Sequence, residues 1–135
     1  KTPSEVLEVR RPFYNAGANA AGGATKKYRE KVFYKNTAPT GSPLTEAQVI
    51  EDSDPSGVIA FGLAATLDDV ATNGVGHTRL VAPSGIVFNS STKDVANGGS
   101  LTGGSAQGVW LELTLVGGEA ELKTTYGLQL KGNPG

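Results

Sequence analysis

The stretch that decides the fold is Val109-Trp110-Leu111-Glu112-Leu113-Thr114-Leu115-Val116. Val109, Leu111, Leu113 and Leu115 share one parity, while Trp110, Glu112 and Thr114 share the other. Strict alternation is the period of a β-strand with one face on a core. After Gly117-Gly118 the pattern returns, with Leu122, Tyr126, Leu128 and Leu130 on one parity and Lys123, Gln129 and Lys131 opposite. Two neighbouring alternating segments predict a pair of antiparallel strands.

Working outward, the rest of the chain reads as short strands between turn signals. Tyr28 to Asn36 (YREKVFYKN) places Tyr28, Val32 and Tyr34 on one face and mostly basic residues on the other. Leu44 to Glu51 carries the spacing of a helix cap at Thr45 and Gln48, yet Ala47, Val49 and Glu51 alternate with Gln48 and Ile50, which predicts a strand. Asp54-Pro55-Ser56-Gly57 is a turn, and Val58 to Leu63 the next strand. Residues 64–77 read as a long loop with room for one helical turn, and Arg79 to Ala82 and Gly85 to Asn89 as short strands. Val6 to Phe13 reads as a first extended segment. Residues 15–25, nearly all small, cannot bury enough apolar area to order themselves and read as a link. Nineteen glycines in 135 residues disfavour helices and supply turns. The class is therefore all-β. About seven short strands imply an antiparallel β-sandwich, immunoglobulin-like in form, over residues 28–135, preceded by an extended N-terminal arm and link over residues 1–27.

Composition narrows the chemistry. Without cysteine there is neither a disulfide framework nor a thiolate metal site. No apolar run reaches the roughly 18 residues of a membrane helix. Lys1 to Arg11 has no apolar leader segment, and Lys1 is read as lying downstream of the translated start. The net charge of −1 is unevenly spread. Residues 1–35 hold eight basic and three acidic residues, a balance of +5, and residues 36–135 hold four basic and ten acidic ones, a balance of −6. A basic arm on an acidic body suits a neighbouring acidic surface, including another copy. Nucleic acid is not expected, because no binding motif accompanies the basic residues and the body would repel phosphate.

Catalytic equipment is thin. His77 is the lone histidine and sits in a loop without a second histidine or a cysteine to work with. No serine stands in a nucleophile elbow. Asp52-Ser53-Asp54-Pro55-Ser56-Gly57 matches the start of a calcium loop, but Leu63 stands where the bidentate glutamate belongs, so an acidic turn is expected. Asp68-Asp69 reads as a solvated pair, and Asn89-Ser90-Ser91 as a sequon with meaning only in a secreted eukaryotic protein. Neither a metal nor another cofactor is expected, nor an enzyme. Trp110 has two readings. On the outer face it anchors an interface; alternatively, a loop or the arm folds over it as a small satellite core. Arg10, Arg11, Lys26, Lys27 and Trp110 are the expected partner-binding residues.

The strings VRRPFYN and YREKVFYKNT, then DPSGVIAFGL, RLVAPSGIVF and SLTGGSAQGVWLELTL, over roughly residues 6–132, resemble small virion structural proteins of tailed bacteriophages. That resemblance implies an immunoglobulin-like module acting as a capsid decoration (cement) protein. It implies the major capsid protein or other virion proteins as partners, a homo-oligomer, and a place on the capsid surface. A tail or neck component and a carbohydrate-binding or adhesion module are the alternatives.

Overall fold

The computed structural model describes residues 13, 22–71, 79–118 and 125–134. Among them there is no helix, and the chain forms two antiparallel three-stranded sheets packed as a β-sandwich. The strands are β1 (Lys26–Lys35), β2 (Leu44–Ser53), β3 (Ile59–Leu63), β4 (Lys93–Asp94), β5 (Ala106–Leu115) and β6 (Gly127–Pro134). One sheet has the order β1-β5-β3 and the other β4-β2-β6.

The alternation in β5 places Val109 and Leu111 in the main core with Phe61, and these meet Ala47, Val49, Val95 and Leu101. Leu113 and Leu115 continue inward with Ile59 in a second cluster. Phe13 and Tyr126 pack against both clusters and so lie at the seam between them.

In β2, Ala47 and Val49 point inward as the alternation predicts. Glu46 has φ 50°, and the register with β6 shifts between Thr45 and Gln48. This bulge lets Leu44 and Ala47, of opposite parity, both face the core.

Several expectations change. β1 starts at Lys26, two residues before the expected Tyr28, because Lys26 and Lys27 pair with Leu115 and Thr114. Arg79 to Ala82 and Gly85 to Asn89 are not strands. Their aliphatic residues lie in a long crossing connection, and only Asn89 makes a bridge, to Phe61. Residues 64–71 form the expected loop and contain no helix, and residues 72–77 of that loop lie outside the described residues. Arg10, Arg11, His77, Leu122 and Lys123 lie outside the described residues, as does the expected segment from Val6 up to Pro12.

Candidate functional site: the strapped face of the β1-β5-β3 sheet

β5 is the central strand of its sheet, so its two faces have different fates. One faces the core. The other carries Trp110 and Glu112, and the register puts Lys31 and Gly62 on either side of Trp110, with Arg29 and Ala60 on either side of Glu112. A half-buried sheet would leave this face in water. Instead the connection between β3 and β4 straps it down.

The strap is fixed at each described turn. Asp68, with φ 57°, donates its N–H to the Ala106 carbonyl at 2.8 Å and accepts the Ala106 N–H on Oδ1 at 2.9 Å. The Lys31 ammonium donates to the carbonyls of Asp69 at 2.6 Å and Ala71 at 3.0 Å, and its Nζ lies 3.6 Å from the Asp69 carboxylate. Farther on, the Arg79 carbonyl accepts the Arg29 N–H at 2.8 Å, and the Leu80 carbonyl accepts from Arg29 Nη1 at 2.8 Å. Arg79 also pairs with Glu30 and stands over the Tyr28 ring, 5.2 Å from its centroid. The strap then passes Gly62, where a Cβ would lie 2.5 Å from Ile86 Cγ2 and 2.6 Å from the Val87 carbonyl oxygen. It docks on β3 through reciprocal Phe61–Asn89 hydrogen bonds of 3.1 Å.

Trp110 is consequently 3% exposed. The expectation of a solvent-facing anchor is corrected, and the covered satellite core holds. Lys31 Nζ lies 5.4 Å from the Trp110 ring centroid and 5.4 Å from that of Phe33, a cation over two aromatic faces. Burial lowers the Lys31 pKa, and the neighbouring Asp69 works in the opposite direction. Glu112 is also buried, and its carboxylate accepts from Arg29 Nε at 3.0 Å and pairs with Lys27 at 3.6 Å. Lys27 is half exposed, yet its charge is already directed to Glu112.

Gln107 closes the far end of β5. It is fully buried, donates to the Ala64 and Gly108 carbonyls and accepts the Ala96 N–H at 2.8 Å. It thereby joins the strap to the loop after β4.

Four aliphatic side chains are among those the strap turns outward. Val70, Leu80, Val81 and Val87 are about half exposed or more, with Val87 at 71%. Leu80, Val81 and Val87 were hidden in the sequence, because the short strands expected over Arg79 to Ala82 and Gly85 to Asn89 would assign alternate residues to a core, whereas Val70 lies in the expected loop. Asp54 has a local role in the turn between β2 and β3. Its Oδ1 accepts from Gly57 N–H at 3.1 Å and from the Ser56 hydroxyl at 3.0 Å, as an acidic turn requires. Among the described residues no group of three or more His, Asp or Glu side chains could hold a metal ion.

One polar cluster lies away from this face. Lys93 donates to Asn89 Oδ1 at 2.6 Å and to the Ser91 carbonyl at 2.9 Å, and stands 3.6 Å from the Phe61 ring centroid. Burial lowers its pKa against the pull of Glu51. Glu51 Oε1 and the Tyr126 hydroxyl are buried beside each other. Burial first, and then the Glu51 carboxylate, push the Tyr126 pKa far up.

Comparison with protein-family models, with curated proteins and with solved structures finds no match for the chain.

Proposed function

We propose that this chain is a structural virion protein of the capsid decoration type, an immunoglobulin-like module that binds the assembled phage head through its strap. The observation that carries this reading is the set of aliphatic side chains Val70, Leu80, Val81 and Val87, held outward on a connection pinned at both ends to a rigid sheet. Exposed apolar side chains on a fixed scaffold suit protein contact, because less backbone ordering is required on docking. The charged groups of the same sheet face, Lys31, Arg29 and Glu112, hold its own loops in place, and Gln107 does so from the core face. The major capsid protein is the proposed partner, with the basic residue Lys26 at the start of β1 beside acidic groups of the shell. Arg10 and Arg11 are proposed to extend that contact.

Such a protein binds the assembled state in preference to free subunits, and so stabilises the shell by mass action. A carbohydrate-binding module would need Trp110 as its platform, and that ring is covered. The test is to add the purified chain to expanded heads assembled without it. Binding at a fixed number of copies per head, with a raised temperature of head disruption, is expected. Attachment to tails alone would move the module to the tail or neck, and attachment to neither would refute the reading.

A further inference from the structure

Among the described residues four strand edges bound the two sheets, and three are engaged by the strap or too short to extend. On the β1 edge the strap makes one backbone bond, from the Arg29 N–H to the Arg79 carbonyl, and the Arg29 side chain adds a bond to the Leu80 carbonyl. The β3 edge is bonded in both directions by Asn89. β4 is only two residues long. The fourth edge, that of β6, runs for eight residues, and among the described residues its backbone pairs with β2 alone. The core-facing Leu128 and Leu130 on this edge are partly buried, and among the described residues no further strand flanks them. Beyond Leu130, a groove of about 340 Å³ opens beside Pro134, Leu44 and Leu101. A long open edge with uncovered apolar side chains is a template for strand addition.

We infer that the β6 edge joins two copies of this chain, antiparallel and across a two-fold axis at Leu130, fusing two three-stranded sheets into one of six strands. The strand is complementary to itself in that register. On the exposed face Gln129 meets Lys131 of the other copy, and the pair occurs twice. On the core face Leu130 meets its own counterpart, and Leu128 meets Gly132, which has no side chain to oppose it. No like charges stand opposite one another, and the contact is closed, so it yields a dimer and not a fibre. This inference is independent of the virion reading, and a chain that fails to bind heads leaves it standing.

The test uses the absence of cysteine from the full chain. Chains carrying Gln129→Cys and Lys131→Cys, both at exposed positions, are mixed and oxidised. Directly opposed residues lie about 4.5–5.5 Å apart, within disulfide reach, whereas diagonal ones lie about 7–8 Å apart. The mixture is therefore expected to form a covalent dimer in much higher yield than either chain alone. In sedimentation, the unmodified chain should be dimeric, Gln129→Lys should weaken the dimer about tenfold, and Gln129→Glu should strengthen it. A monomeric chain overturns the inference, as does a dimer insensitive to Gln129→Lys or a mixture that cross-links no better than its components. A monomer in which the β6 amides that point away from β2 are protected from hydrogen exchange also overturns it, because another segment then covers the edge.

Discussion

Removing the Trp110 ring is the most severe single test of the strapped sheet. At 3% exposure, between Lys31 and Gly62 and beneath the strap, the indole has almost no contact with water. An aromatic side chain of this size buries on the order of 200 Å², which corresponds to about 5 kcal/mol of transfer free energy. Partial collapse of the strap into the space returns some of this, so Trp110→Ala should cost about 3–5 kcal/mol of folding stability. The Lys31 ammonium would also lose one of its two aromatic faces, within the same range. For a domain whose total stability is about 5–15 kcal/mol, this is a melting-temperature loss on the order of 15 °C. Denaturant unfolding followed by far-ultraviolet circular dichroism measures it, because Trp110 is the only tryptophan and its fluorescence disappears with it. In the unmodified chain that fluorescence should be blue-shifted and poorly quenched by acrylamide. Trp110→Phe, which keeps a ring, should cost less than half as much. A loss below about 1 kcal/mol in Trp110→Ala, with an exposed emission spectrum in the unmodified chain, would refute the covered face.

Three further outcomes follow from the same packing. Glu112→Gln should destabilise by about 1–3 kcal/mol in denaturant titrations, since Arg29 is buried beside it, whereas Lys27→Ala, at a half-exposed site, should cost less than about 1 kcal/mol. Gly62→Ala should cost about 1–3 kcal/mol and speed proteolysis of the strap, because its methyl group collides with Ile86 and the Val87 carbonyl. The raised pKa of Tyr126 means that the unfolded chain loses this proton near pH 10.0 while the folded chain keeps it, so stability falls as pH climbs above about 10. Tyr126→Phe should flatten that alkaline limb in melting-temperature profiles.

Legibility in the sequence followed the range of the interactions. The alternation in 109–116 identified β5 and its core face, and Ala47 and Val49 identified β2, because each pattern arises within one strand. The second face of β5 was not legible. Trp110 and Glu112 look outward by parity, yet they are covered by residues 20–50 positions away that carry no periodic mark. The same distance hid the role of Lys31, which reads as one more solvent-facing base and is in fact the strap's clamp. Leu80, Val81 and Val87 mimic a strand locally and lie on the surface, because the edges they would have joined accept only single bonds. β4, with two residues, is too short for any pattern. Lys26 and Lys27 were assigned to the link because small residues precede them, although pairing with β5 extends β1 to include them.

The measurement that bears most directly on the proposed role is a mass-spectrometric inventory of purified virions set against the free protein of the same lysate. The account expects this chain in the virions, at a copy number that is a simple ratio to the major capsid protein and survives repeated density-gradient purification. Its recovery only from the free fraction of the lysate would contradict the account.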